Sequence, residues 1–440
     1  VFLDRCPPAE PRCPARGAEF VMLFTIVTTV GSVSAVVVGV VVDGYDLQVL
    51  RALAGAGMTV GLLLFGPASS KGVLIVAGLL LCVAQNLSVA LAVKVTYIVP
   101  ARQAHIVTIG INCCFDASSA VPQIPLIIHQ AGVSRLAIFG AYAALCAVLS
   151  MSHTLLWLGR PTERLRTVVR EEGSDEPKKK PLHGKRLVEQ LRSVEFAFAV
   201  AWLTTQIFRS QFYLAMIVDL LRMQGDTGAY ADTFAAFHPV SMLFAPLLSW
   251  CLLPRGFVFS FAATLALGLV WNAVAFAPSL PVQILSFTSY SIFRAFTFSL
   301  YFVFITQTFG ASSTASVHSI AMAAGCVSNF LIWPSVAFVN EFLGADLKYM
   351  LGLCLMLCLP LLLLFPLLRQ KLLQNPAAEY VNARGKSRME DVGTCKAASA
   401  PCGAQGKAGT SQCAAPRKIC AAVPGSAAWC VQSRGASPSP

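Results

Sequence analysis

Long apolar stretches separated by short polar turns follow one another over most of this 440-residue chain. A helix needs about 20 mostly apolar residues to cross the hydrocarbon core of a bilayer. Eleven stretches meet or approach this length, and we predict that each forms a span. They are Phe20–Val42, Leu50–Phe65, Val73–Val99, Val107–Ile128, Leu136–Leu158, Val194–Leu221, Phe234–Leu253, Phe257–Phe276, Val282–Thr306, Val317–Val339 and Leu347–Leu368. The pattern predicts an all-α polytopic membrane protein.

One polar segment, Gly159–Ser193, interrupts the pattern and separates five predicted spans from six. It carries ten Lys and Arg residues, and loops that stay in the cytoplasm hold an excess of these residues. We therefore predict a cytoplasmic linker between two membrane halves, residues 20–158 and 194–368. Residues 1–19, which are rich in Pro and include two Cys, would then be extracytosolic, and residues 369–440 have the composition of a disordered cytoplasmic tail.

Composition agrees with this class, because 56% of the residues are hydrophobic and only 12% are charged. Soluble domains carry about a quarter charged residues. The net charge of +12 comes largely from the linker and tail, where orientation and anionic lipid account for it, so we predict a lipid bilayer and no nucleic acid as partner. The 15 Cys lack the close ligand pairs of a zinc site. We predict no metal and no cofactor.

Enzymatic motifs are missing from the sequence. It contains no H-E-x-x-H, no P-loop and no G-x-S-x-G. Neither a hydrolase nor ATP-driven transport is indicated, and we predict that the protein is not an enzyme.

The end of the first predicted span carries Gly39 and Asp43, and Arg51 follows on the next. A carboxylate at a helix end can pair with a cation or with the positive end of another helix, although an ordinary solvated turn is the alternative. The stretch resembles the G-x-x-x-D-R-x-G-R-R/K signature of the major facilitator superfamily, from which it departs at Gly44 and in keeping only Arg51 downstream. The resemblance implies a gating role for Gly39, Asp43 and Arg51. It also implies two six-helix halves whose first helix would precede residue 20, so we expect an N-terminally incomplete sequence.

Four further stretches, in the same order, look like segments of solute carrier family 43, the system-L-type amino-acid facilitators, and of related protozoan amino-acid transporters. They are Leu23–Asp43, Phe115–Pro122, Gln211–Leu214 and Phe293–Phe296. The resemblance implies alternating access and facilitated diffusion of small organic solutes, above all neutral or cationic amino acids. The rival hypothesis is a non-transporting membrane protein, either a nutrient sensor or a decayed paralogue. We expect a monomer in the plasma membrane, with an internal membrane such as the vacuolar one as the alternative.

Charges near the middle of predicted spans are the best pointers to a substrate path, because burying one in lipid costs at least ~2.5 kcal/mol. Asp116, Arg209 and Arg294 lie at such positions. Ion pairs among them would be purely structural, whereas an amino-acid carboxylate could equally pair with one of the arginines. Lys94, close to a span end, is interpreted as snorkelling to the interface. The predicted substrate-binding residues are Asn112, Asp116, Arg209, Gln211, Tyr213, Ser289, Arg294 and Asn329.

Overall fold

The computed structural model describes residues 14–100, 103–118, 121, 123–157, 165, 167–168, 182–343 and 348–374. Predictions for residues 1–13, for most of the linker and for the tail beyond residue 374 lie outside the described residues. Within the described ranges every regular element is a helix, so the predicted all-α class is confirmed.

Six helices precede the linker and occupy the five spans predicted there. One of those spans, Val107–Ile128, is divided between two helices, Ala104–Ala117 and Gln123–Gln130. Pro125 lies in the first turn of the second helix, where the N–H that proline lacks would have no partner within the helix. The first helix begins at Pro14, inside the segment that we predicted to be extracytosolic. The six are α1 (Pro14–Gly44), α2 (Leu47–Phe65), α3 (Lys71–Val95), α4 (Ala104–Ala117), α5 (Gln123–Gln130) and α6 (Arg135–Leu156).

Among the described residues, nine α-helices of five or more residues follow. The first of them lies in the part of the linker that is described, and the last continues through residues 369–374, which we had assigned to the tail. They are α7 (Leu187–Leu191), α8 (Val194–Met223), α9 (Ala229–Val240), α10 (Phe257–Ala275), α11 (Leu280–Phe309), α12 (Thr314–Val327), α13 (Ile332–Phe342), α14 (Lys348–Met356) and α15 (Leu359–Gln374).

Several predicted spans of this second part are not single straight helices. Helix α9 is followed by irregular helical turns over Ser241–Arg255, and the two parts are bent by 44°. A 3-10 turn, Ser328–Leu331, separates α12 from α13. Among the described residues, six helices are long and apolar enough to cross a membrane, and the bent pair would make a seventh. The other predicted spans coincide with helical segments that do not meet this criterion alone.

The ends of α1, α3 and α11 meet the starts of α8 and α12 at one end of the bundle, which also holds α7 and is called the linker end below. Helix α1 crosses α12 closely at Gly39, where an added Cβ would lie 2.5 Å from the Ser319 Oγ atom. Small residues at a crossing let two membrane helices approach. The first half is therefore joined to the second through α1 and α12.

Candidate functional site

Asp43, at the end of α1, contacts the start of α12. Its Oδ2 atom accepts a hydrogen bond of 2.7 Å from the backbone N–H of Ser316, the third residue of that helix. The first N–H groups of a helix have no partner within the helix, and they carry the positive end of its dipole. Asp43 therefore provides a negatively charged cap for α12 from the other half of the molecule.

Lys94, near the end of α3, completes this contact. Its Nζ atom lies 2.5 Å from the Asp43 Oδ1 atom, and it also donates to the carbonyl of Ala311 in the turn between α11 and α12. The Lys94 side chain is only 4% exposed and that of Asp43 10% exposed. Lys94 thus does not snorkel to the interface as we had interpreted it, because the carboxylate and the carbonyl hold its ammonium group inside the protein.

Tyr97 adds a third contact between the halves at the linker end. Its hydroxyl donates to the carbonyl of Thr306 at 2.9 Å and lies 2.5 Å from the Thr314 Oγ1 atom. We call Asp43, Lys94 and Tyr97, with their partners at the end of α11, in the following turn and at the start of α12, the latch.

The ion pair of the latch lies wholly within the first half, because Asp43 is on α1 and Lys94 is on α3. The bonds that cross to the second half go to neutral groups, namely the Ala311 carbonyl, the Ser316 N–H and Thr314 with Thr306. Separating two buried charges is strongly unfavourable, whereas a hydrogen bond between neutral groups contributes a net ~1 kcal/mol and one that involves a charged group about 1.5–3 kcal/mol. The latch can therefore open without breaking its ion pair.

Arg51 was predicted to belong with Gly39 and Asp43, and the structure places it beside α6. Its guanidinium carbon lies 3.3 Å from the ring centre of Trp157, and it is 3% exposed. Within the described chain, none of its three nitrogens has a hydrogen-bond partner. Gly39 and Asp43, both on α1, each contact α12, whereas Arg51 stacks on an aromatic ring in the first half.

Arg209 is fully buried in α8 and bonded to neutral groups. Its Nη1 donates to Gln206 at 2.7 Å, and its Nη2 donates to the Gly268 carbonyl at 2.8 Å and to Asn272 at 3.2 Å. It also faces the ring of Trp271 at 5.3 Å. These contacts connect α8 to α10, and Asn272 continues to the Leu351 carbonyl of α14.

Tyr213 lies one turn further along α8 and shares Trp271 with Arg209. Its hydroxyl is 3.0 Å from the Ser286 Oγ atom, and its ring lies 5.0 Å from both Trp271 and Tyr290. Gln211, which points elsewhere on the helix, is partly exposed. The structure thus brings Arg209 and Tyr213 into one aromatic region of the second half.

Arg294 and Ser289 are buried on α11 at 8% and 6% exposure. The guanidinium carbon of Arg294 lies 5.2 Å from the ring centre of Phe298, a contact within the same helix. Such a contact favours a cation at the ring face.

Asn112 joins α4 to α11, since its Nδ2 atom donates to the Ser299 Oγ atom at 3.0 Å. Its Oδ1 atom is buried, and in the described part of the chain it accepts no hydrogen bond; the same is true of the Asn329 Oδ1 atom in the turn before α13. Asp116 lies on α4, but its side chain lies outside the described residues.

Sequence reasoning missed Lys94 and Tyr97 as latch residues. Both stand near the end of a predicted span, where a basic or aromatic residue is common at a membrane interface. The Lys94–Asp43 separation of 51 residues in sequence gave no local signal. Only the order of spans, which puts both residues at the same end of the bundle, could have indicated the pairing.

The comparisons with known proteins gave matches in structure alone. No family model and no curated protein matches the sequence. The human organic anion transporter MFSD10 (TETRAN) is 14% identical with a TM-score of 0.60, covering 80% of this chain and 90% of that one. A bacterial homologue of the iron transporter ferroportin, outward-facing with soaked iron, is 13% identical with a TM-score of 0.56, covering 80% and 90%. FucP, a major facilitator superfamily transporter in the outward conformation, is 14% identical with a TM-score of 0.53, covering 82% and 91%. The predicted all-α bundle of the major facilitator type is confirmed as the fold.

Proposed function

We propose that this protein is a membrane transporter that moves a small organic solute by alternating access. The latch is the observation that carries the proposal. It closes the linker end with contacts between the two halves, and the polar contacts of the latch that must break when that end opens are hydrogen bonds to neutral groups.

The basic residues of the linker favour the cytoplasmic side for the linker end. A latch closed on that side corresponds to a carrier that faces outward. Two of the compared structures carry the same description, the ferroportin homologue as outward-facing and FucP as outward. Opening of the latch would then give the inward-facing state.

We propose amino acids, neutral or cationic, as the substrates, and facilitated diffusion as the mode of transport. The support is the ordered resemblance of four stretches to the amino-acid facilitators of solute carrier family 43. The fold does not select a substrate, because the compared proteins include an organic anion transporter and a homologue of an iron transporter.

Within this proposal the predicted binding residues divide into two groups. Arg209 and Tyr213 already have partners in the second half, so we assign them to holding α8 against α10 and α11. Asn112 contacts α11 from the other half and keeps an unused acceptor, which suits a substrate ammonium group. The positive charge of Arg294 would attract the carboxylate of an amino-acid substrate. Asp116, Gln211, Ser289 and Asn329 remain candidates around them.

Purified protein in proteoliposomes tests the function. We expect saturable uptake of a labelled amino acid without an ion gradient, and acceleration when unlabelled substrate is present on the opposite side. If no amino acid showed saturable uptake while a mixture of other small organic solutes did, the carrier would stand and the substrate class would be wrong. If no solute were transported by folded protein, the non-transporting alternative would replace the carrier.

A further inference from the structure

The described part of the linker before α8, residues 182–193, packs against the second half at the linker end. We call it the linker strap. Its Leu182 and Gln190 side chains are buried, at 7% and 0% exposure. The linker therefore does more than connect the two halves, because its final part belongs to the packed interior of one of them.

Gln190 uses both ends of its amide in this contact. The Nε2 atom donates to the carbonyls of Leu182 at 2.9 Å and Phe309 at 3.2 Å, while the Oε1 atom accepts from the Ser313 Oγ atom at 2.6 Å. His183 of the strap adds a contact of 3.1 Å between its Nε2 atom and the Gln307 carbonyl. A buried amide that satisfies its donors and its acceptor holds its neighbours in one arrangement.

Gln190 holds the turn between α11 and α12, which Lys94 of the latch contacts. Phe309 is the last residue of α11 and Ser313 is the residue before α12, so the amide joins the two ends of the turn. Ala311, between them, accepts from Lys94. Gly310, with φ of 85°, adopts a left-handed conformation that favours glycine. The strap and the latch thus contact the same short turn from opposite halves.

We propose that Gln190 is a positioning residue for the latch. By joining both ends of the turn, it fixes the Ala311 carbonyl and the first N–H groups of α12 where Lys94 and Asp43 bind them. The strap stays with the second half when the halves part, so it favours closure of the linker end without having to break on opening. This inference rests on the proposed function.

A reporter cysteine measures closure of the linker end directly. Val42 is 2% exposed and packs in one cluster with Ala315 of α12, so Val42→Cys should react with a maleimide only when the halves separate there. Reaction is followed in folded protein by mass spectrometry of the peptide containing residue 42, which excludes the native cysteines. Asp43→Ala, which removes the latch carboxylate, is the positive control.

We expect Gln190→Ala to raise the reaction rate of the reporter by about fivefold to tenfold, since it removes hydrogen bonds that each contribute modestly. Ser313→Ala, which removes one bond only, should raise it less, and it remains informative if Gln190→Ala fails to fold. Gln224→Ala is the matched control, because the Gln224 amide donates to the Ala277 carbonyl between other helices of the same half. The control should leave the rate unchanged.

The outcomes separate the inference from the function on which it rests. If Asp43→Ala raises the rate and neither Gln190→Ala nor Ser313→Ala does, the latch stands and the role of Gln190 is overturned. An equal rise with Gln224→Ala would also overturn it, because general loosening would then explain the effect. If Asp43→Ala leaves the rate unchanged as well, the gate itself is wrong.

Discussion

Gly39 is the position where α1 and α12 approach most closely among the glycines of α1 whose surroundings are described. A Cβ there would lie 2.5 Å from the Ser319 Oγ atom and 2.6 Å from the Ala315 carbonyl oxygen. Overpacking of this kind typically costs 1–3 kcal/mol. We expect Gly39→Ala to lower the maximal uptake rate several-fold, because the linker end cannot close fully.

Gly44→Ala is the matched control, since nothing lies within 4 Å of a Cβ added there. It should transport like the parent protein. Equal transport by both variants would mean that the α1–α12 crossing is not part of the transport cycle.

Removal of the Lys94 ammonium group leaves the buried Asp43 carboxylate without its cation. Breaking one side of a buried ion pair costs about 3–5 kcal/mol. We expect Lys94→Met to lower the thermal unfolding temperature in detergent by several degrees, and the double variant Lys94→Met with Asp43→Leu to recover part of the loss. Lys185→Met, at an exposed position of the linker strap, is the control. An unchanged unfolding temperature for Lys94→Met would contradict the pairing.

At the level of elements, Arg209 is the polar connection between α8 and α10. Arg209→Met keeps much of the side-chain volume but leaves the Gly268 carbonyl and the Asn272 oxygen without this donor. Each unsatisfied buried group costs about 1–3 kcal/mol. We expect lower thermal stability, with the KM of the remaining folded protein unchanged. A raised KM at unchanged stability would instead support the substrate role that the sequence allowed.

The sequence predicted where the helical spans lie but not where they break. The length of an apolar stretch indicates how thick a membrane it can cross, but it does not show whether the helix is interrupted by a turn within that stretch. The 44° bend after α9 and the turn at Ser328–Leu331 are of this kind.

At the scale of the whole molecule, a covalent link between the two halves should hold the linker end closed. Val42 on α1 and Ala315 on α12 belong to one packed cluster, so we expect that cysteines at both positions can be joined by an oxidant or by a short reducible bis-thiol reagent, which would hold the linker end closed. We expect oxidation to stop uptake and reduction to restore it. The control pair, Gly57→Cys with Ala84→Cys, lies within the first half, where a Cβ added at Gly57 would be 3.2 Å from the Ala84 Cβ atom. Loss of uptake on oxidation of the control pair alone would contradict movement of the halves as units.

Residue types predicted the candidate site only in part. Gly39 and Asp43 were found because they resemble a known signature, whereas the partner of Asp43, the Ser316 N–H, lies 273 residues away and is a backbone group that any sequence would offer. Arg209 was identified as a buried charge, but its neutral partners on α10 depend on which helices pack together. Composition and span length carry no information on such neighbours.

The ion pair between Asp43 and Lys94 also bears on the electrical character of the cycle. Moving one elementary charge through the whole membrane field is worth ~2.3 kcal/mol per 100 mV. Both members of the pair belong to the first half and travel together, so their charges cancel, and the bonds that open lead to neutral groups. Movement of this pair therefore displaces almost no net charge, and the pair should add little to any effect of membrane voltage on how fast the gate opens.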